Sequence, residues 1–213
     1  MSEKIAIVTG GNKGLGLSIV KGLCEKLEGT TYLTSRDEKR GKEACLKLQE
    51  LGHAPEFHQL DVSNDESISK FCNFLHSKNK KVHILVNNAG ILFLKDAKES
   101  KIYQAEETLT VNFFALVKFT ENILPFMDDN STILNISSSS GHLSRIPSQK
   151  LRDKISDPNL EVGGLKNLMQ QYIDCVTSNR SADEWGDSPY VVSKVGVNAY
   201  TFILNRRLAS RGM

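Results

Sequence analysis

The chain has 213 residues, with 27 basic and 25 acidic side chains and a formal net charge of +2. That length suits one domain with a real core. The near-balance of charge, without a Lys/Arg block, argues against a nucleic-acid or membrane-surface footprint and points to a small-molecule partner.

No apolar run approaches the roughly 18 residues that cross a bilayer. The start, MSEKIAIVTGG, enters a strand pattern without the basic and apolar regions of a signal peptide, so the expectation is a soluble, cytoplasmic protein with no membrane partner. Cys24, Cys45, Cys72 and Cys175 are widely spaced and form no C-x-x-C pair, which predicts buried, reduced thiols. His53, His58, His76, His83 and His142 share no ligand spacing with a carboxylate or cysteine, and no metal site is expected.

In chain order, short apolar runs rich in branched residues predict strands at KIAIVT (4–9), TTYLTS (30–35), EFHQLD (56–61), VHILVNN (82–88) and STILNIS (131–137). Stretches of helical period lie between them, near 15–27, 38–51, 65–79 and 104–126. This alternation predicts βαβ units and an α/β fold, a parallel sheet covered on both faces.

Between the first strand and first helix sits TGGNKGLG, Thr9 to Gly16. Glycines there permit a tight turn and let a pyrophosphate approach backbone N–H groups at the positive end of a helix. The spacing is T-G-x-x-x-G-x-G rather than G-x-G-x-x-G, and its strand-to-helix setting gives it weight. The second strand ends in Thr34-Ser35-Arg36-Asp37. Arg36, helped by Lys13, can pair with a ribose 2′-phosphate, which favours NADP over NAD; alternatively Arg36 is a solvated charge and Asp37 a helix cap.

Asn87-Asn88-Ala89-Gly90 reads as a strand-ending turn or, at the carboxyl edge of such a sheet, as a cofactor contact. After Gly141 the alternation stops. The stretch 142–187 has no strand-like run but carries a helical segment, about Leu160 to Ser178, with Leu165, Leu168, Met169, Tyr172 and Val176 at helical spacing. Within it, Tyr172 and Trp185 read as core or as the lining of a substrate entrance, core being the commoner fate. SPYVVSK, Ser188 to Lys194, then places a tyrosine and a lysine at i, i+4 on one helical face. Alone, that pair is far more often surface decoration than a catalytic pair.

Read together, TGGNKGLG, Asp61-Val62, Asn87-Asn88-Ala89-Gly90, Asn112, Ser138 in NISSSSG and Tyr190-x-x-x-Lys194 resemble the ordered motifs of the short-chain dehydrogenase/reductase family. The NKG of the first turn and the long insertion at 142–187 resemble its carbonyl reductase branch, whose members are often monomeric and NADPH-dependent. The resemblance implies a Rossmann-type doubly wound sheet in a single domain, 1–213, with a helical insertion before the tyrosine helix. It also implies NADPH/NADP+ as cofactor, a small-molecule carbonyl substrate and a monomer. It assigns cofactor contacts to Gly10, Asn12, Lys13, Gly14, Leu15, Gly16, Arg36, Asp61, Val62, Asn88, Ala89, Gly90, Val111, Tyr190 and Lys194. Asp61, which otherwise reads as a cap for the next helix, is given the adenine amino group with backbone help from Val62.

The chemistry of such a site follows from its residue types. Hydride transfer to a carbonyl builds negative charge on oxygen, which needs a placed donor and a proton. Tyr190 supplies both; its phenol has an ordinary pKa of about 10, and a nearby ammonium such as Lys194 stabilises the phenolate. Lys194 also reaches a ribose hydroxyl. By resemblance, Ser138 is the second donor to the carbonyl oxygen, rather than Ser137, Ser139 or Ser140. Asn112 corresponds to the asparagine that holds a water linking the lysine to solvent.

The family pattern continues past the tyrosine helix with a sixth strand, a Pro-Gly turn, a substrate-covering loop and helix, and a seventh strand, whereas this chain reaches ASRGM at 209–213. From this C-terminally shortened pattern the expectation is an exposed fifth-strand edge, with Val195, Tyr200, Phe202 and Ile203 open to solvent. Two readings stand at this point: an NADPH-dependent reductase of aldehydes, ketones or quinones, and a catalytically impaired shortened isoform acting as a nucleotide-binding or protein-interaction module.

Overall fold

The computed structural model describes residues 4–178 and 182–209; Met1–Glu3, the Asn179–Ser181 part of the insertion and the Ser210–Met213 end lie outside the described residues. The described residues group into two compact units, 4–89 with 116–136, and 90–115 with those of 137–209. Eight α-helices occur among them: α1 (Gly14–Lys26), α2 (Glu38–Glu50), α3 (Asp65–Lys78), α4 (Lys101–Leu109), α5 (Leu116–Ile123), α6 (Gln149–Ile155), α7 (Val162–Thr177) and α8 (Pro189–Ala209).

The first unit holds the whole sheet. Strands β1 (Lys4–Val8), β2 (Gly29–Ser35), β3 (Glu56–Gln59), β4 (Val82–Asn87) and β5 (Met127–Asn135) run parallel in the order β3-β2-β1-β4-β5. Val8 pairs with Leu33 on one side and Val86 on the other, so the strand order reverses about β1, the switch point where such sheets open a ligand crevice. Ile5 to Val8 are all buried, as expected for a strand covered on both faces. On one face Leu33 packs with Val20 of α1 and Ala44, Cys45 and Leu48 of α2. On the other, Tyr32 meets Phe74 of α3 edge-on at 5.3 Å, and Phe71 of α3 lies 5.9 Å from Phe119 of α5.

Local signals fix the helix ends. Asp37 caps α2 by accepting from the Arg40 N–H at 2.9 Å, and Asn64 caps α3 by accepting from the Ser67 N–H at 2.8 Å. Asn79 ends α3 in the left-handed region at φ 47°. The predicted 104–126 helix is instead three pieces: α4, a π-helical stretch Thr110–Ala115 and α5, followed by a 3-10 turn Leu124–Phe126. Strand β5 begins at Met127, earlier than Ser131, and is the last strand of the sheet, with Leu134 47% exposed.

The second unit contains no strand among its described residues. The expected insertion helix is α7, and α6 precedes it unpredicted. Seven residues are too few to display a helical period; the readable signal was Ser148, whose hydroxyl accepts from the Leu151 N–H at 3.4 Å. Tyr172 and Trp185 are core: both are buried, with rings 5.9 Å apart in a T-shape. Burial, with the Asp187 carboxylate adding to it, pushes the Tyr172 phenol far up.

The expected exposure along α8 is corrected. Val195, Tyr200 and Ile203 are buried, because α8 packs against α4, α7, the π-helical stretch and a 3-10 turn at Ser139–Gly141; Phe202 is exposed, at 69%. The thiols are also less buried than expected. None of the four cysteines is in a disulfide, Cys45 is buried with its thiol pushed up to about 11, and Cys24, Cys72 and Cys175 are half-buried. Among the described residues no helix is long and apolar enough to cross a membrane.

The packing of α8 separates two neighbouring aromatics. Tyr200→Ala is expected to destabilise the protein by about 3 kcal/mol or more, and Phe202→Ala by less than about 0.5 kcal/mol. Urea unfolding followed by circular dichroism measures both, and equal effects would contradict this burial pattern.

Candidate active site

In the first unit the glycine turn is tied to the end of β4. The Asn88 side-chain amide donates to the carbonyls of Thr9 at 2.9 Å and Gly10 at 3.1 Å. The Thr9 hydroxyl accepts from the Asn88 and Ala89 N–H groups, both at 3.0 Å. Gly10 and Gly14 take φ of 63° and 53°, which side chains other than glycine rarely adopt. A Cβ on Gly16 would lie 2.4 Å from Asn88 Nδ2 and 2.5 Å from the Gly10 carbonyl.

Helix α1 starts behind this turn without a side-chain cap, since Lys13 at its N-cap makes no capping bond. Its first-turn N–H groups are therefore left for another acceptor. Nothing within 4 Å would meet a Cβ on Gly14, and Lys13 and Leu15 are exposed, so the outer face of the turn is open. Asn12 is half-buried. These features fit a dinucleotide pyrophosphate.

Arg36 follows β2 with an exposed side chain, while its carbonyl accepts from Gln59 Nε2 at 3.1 Å. Asp61 does not cap α3, a task that falls to Asn64. One Asp61 oxygen accepts from the Ser63 N–H at 2.9 Å and hydroxyl at 2.6 Å, in an Asx turn beside the buried Val62. Asn87 is structural: its amide donates to the Thr120 hydroxyl and to Asn135 Oδ1, each at 2.8 Å, joining β4 to α5 and β5.

The second unit brings together Asn112, Ser138, Tyr190 and Lys194 through α8. Pro189 opens that helix and the Ser188 hydroxyl accepts from the Val191 N–H at 3.3 Å, so Tyr190 sits in the first turn. Lys194 Nζ lies 5.6 Å from the centre of the half-buried Tyr190 ring. Lys194 itself is buried, and desolvation lowers its pKa from the ordinary lysine value.

Asn112 lies in the π-helical stretch, after the half-buried Val111. Its Nδ2 donates to the Ile91 carbonyl at 2.9 Å and the Ser193 hydroxyl at 3.2 Å, and its Oδ1 accepts from the Ile91 N–H at 2.8 Å. Ser193 in turn donates to the Tyr190 carbonyl at 2.8 Å. The side chain of Asn112 thus holds the chain just past the exposed Gly90 and grips α8, with both amide protons committed.

The serine run is resolved by its hydrogen bonds. Ser137 donates its hydroxyl to the Lys194 carbonyl at 3.4 Å. The Ser138 hydroxyl accepts from the Ser140 N–H at 3.1 Å, capping the 3-10 turn and leaving its proton to donate. Sequence reasoning missed Ser193 and Asn198, whose Nδ2 donates to the Gly141 carbonyl at 2.8 Å. Asn198 had a readable signal, because it extends the four-residue series Tyr190, Lys194; Ser193 had none. Among the described residues no group of three or more His, Cys, Asp or Glu gathers to hold a metal ion.

A parallel sheet with an uncapped glycine turn at its switch point is a dinucleotide-binding α/β fold. The chain belongs to the short chain dehydrogenase family, whose model matches residues 4–149. It is 40% identical over 209 residues to carbonyl reductase [NADPH] 3 of Rattus norvegicus, spanning 97% of this chain and 75% of that protein. To carbonyl reductase [NADPH] 1 of Homo sapiens it is 36% identical over 210 residues, spanning 97% and 76%. Among solved structures, menthone neomenthol reductase from Mentha piperita superposes with a TM-score of 0.86 at 26% identity, over 97% of this chain and 86% of that one. Salutaridine reductase from Papaver somniferum superposes at 0.87 with 29% identity, over 97% and 83%.

Burial of Lys194 carries a pH-dependent cost. Below its lowered folded-state pKa the lysine is charged in both states and the desolvation penalty is fully present. As pH rises from there towards the ordinary value of 10.5, the unfolded chain holds the proton longer, and stability rises. Lys194→Met, close in size and uncharged, is expected to be more stable than the parent at neutral pH, with the gain shrinking as pH approaches 10.5. Urea midpoints at neutral and alkaline pH measure it; a gain that does not change with pH would refute it.

Proposed function

We propose that the chain is an NADPH-dependent carbonyl reductase, converting aldehydes, ketones or quinones to alcohols, with 1–213 acting as one cofactor-binding domain. The observation that carries this reading is the Tyr190–Lys194 pair, a half-buried phenol one helical turn from a buried amine at 5.6 Å from its ring. It stands in a chain 40% identical to a protein named carbonyl reductase [NADPH]. When bound, NADPH supplies the hydride. Tyr190 donates its phenolic proton to the carbonyl oxygen as charge develops there, and Lys194 stabilises the phenolate left behind. Ser138, with its proton uncommitted, hydrogen-bonds the same oxygen. Asn112 holds the helix that bears Tyr190, through Ser193.

The cofactor is held by Gly10, Asn12, Gly14, Leu15 and Gly16 around the pyrophosphate, and by Asp61 and Val62 at the adenine. The family resemblance further assigns Asn88, Ala89, Gly90 and Val111 to the cofactor and gives Lys194 a ribose hydroxyl. Arg36 and Lys13, both exposed, supply positive charge for a 2′-phosphate. The working form is a cytoplasmic monomer, in which α7 covers part of the surface of α8.

Two substitutions test the reading, with NADPH oxidation followed spectroscopically against small quinones and aromatic aldehydes. Tyr190→Phe lowers kcat by about 10²–10⁴-fold with NADPH affinity retained. Arg36→Ala raises the Kd for NADPH about tenfold or more and leaves that for NADH within about twofold. Tight NADPH binding by the parent without turnover would favour the nucleotide-binding module instead.

A further inference from the structure

The turn that carries Ser138 is only three residues long, Ser139–Gly141, and so short a 3-10 turn has little stability of its own. It is held by α8 at two places. Ser137 donates to the Lys194 carbonyl at 3.4 Å on the entry side, and Asn198 Nδ2 donates to the Gly141 carbonyl at 2.8 Å on the exit side. Between these points the backbone lies very close to the helix. A Cβ on Gly141 would come within 2.7 Å of Asn198 Nδ2 and 2.9 Å of both the Lys194 carbonyl and the Ser137 hydroxyl.

Inside the turn, Gly141 N–H donates to the Ser138 carbonyl at 2.9 Å and Ser140 N–H to the Ser138 hydroxyl at 3.1 Å. A force applied at the Gly141 carbonyl is therefore passed to Ser138 through one rigid ring of hydrogen bonds. Asn198 lies one helical turn beyond Lys194 and two beyond Tyr190, so all three project from one face of α8.

We propose that Asn198 is a positioning residue: by gripping the Gly141 carbonyl it sets where the Ser138 hydroxyl stands relative to Tyr190 and Lys194. It makes no contact with substrate and moves no proton; it acts through Ser138. The proposal rests on the carbonyl reductase reading, which gives Ser138 its task. Displacement of a catalytic donor by a fraction of an ångström to an ångström costs rate far more than it costs binding of a partner held elsewhere.

The test is Asn198→Asp, which keeps size but replaces the donor with an acceptor, made alone and with Ser138→Ala. Alone, it is expected to lower kcat about tenfold while the Kd for NADPH stays within about twofold. In the Ser138→Ala background it is expected to cost less than about twofold, because the residue through which it acts is gone. Hydrogen exchange supplies a readout independent of turnover: the Ser140 and Gly141 amides should exchange about tenfold faster in Asn198→Asp, with the Asn112 region unchanged. Full additivity of the two substitutions, or unchanged exchange at Ser140 and Gly141, overturns the proposal. Should the parent protein bind NADPH yet reduce no carbonyl, the carbonyl reductase reading falls, and the exchange result still decides whether Asn198 holds the turn.

Discussion

The glycine turn of the first unit depends on the Asn88 side chain. Its amide donates to the Thr9 and Gly10 carbonyls, while the Thr9 hydroxyl receives the Asn88 and Ala89 N–H groups. These bonds join the ends of adjacent parallel strands, where the ladder can no longer hold them and where glycines make the backbone most free. Two turns that would otherwise fluctuate become one surface. Gly16 must lack a Cβ because the amide occupies that space, and α1 begins beside it without a side-chain cap. The shape of the glycine turn is thus set by one neutral side chain reaching over from the end of β4.

The other half poses the opposite problem. Helix α8 is buried nearly all round at Val192 to Val197, yet that stretch contains Ser193 and Lys194. Burying such groups is costly unless they find partners. Ser193 is satisfied by Asn112 and by the Tyr190 carbonyl, and those bonds make the π-helical stretch and the first turn of α8 a single body. Lys194 is the more expensive resident, its charged form disfavoured by desolvation.

The architecture was legible because it is written in short-range pattern. Branched apolar runs mark buried parallel strands, and Asp37, Asn64 and Asn79 sit at helix ends for reasons local to a few residues. The candidate site was readable only from several motifs taken in order, since neither the Tyr190 and Lys194 pair nor the glycine turn carries much by itself. Other features depend on contacts distant in sequence. Tyr200 and Ile203 looked exposed because the covers supplied by α4 and α7 cannot be deduced from α8 itself. The π-helical stretch that divides 104–126 contains Asn112, whose partners Ile91 and Ser193 lie on either side of it in the chain and outside any local pattern.

The serine run shows the same limit at atomic scale. Four identical residues, Ser137 to Ser140, have one composition and no internal signal to rank them. Hydrogen bonding separates them: Ser137 spends its proton on the helix, whereas Ser138 accepts and keeps a proton to give. What separates these hydroxyls is therefore the geometry of α8, one turn of which anchors Ser137 while the next grips Gly141. The tyrosine, the lysine and the serine are held by a single element, and an error in its packing would displace all three together. The polar clamps along α8, Asn112–Ser193 at one point and Ser137 with Asn198 at others, restrict that error.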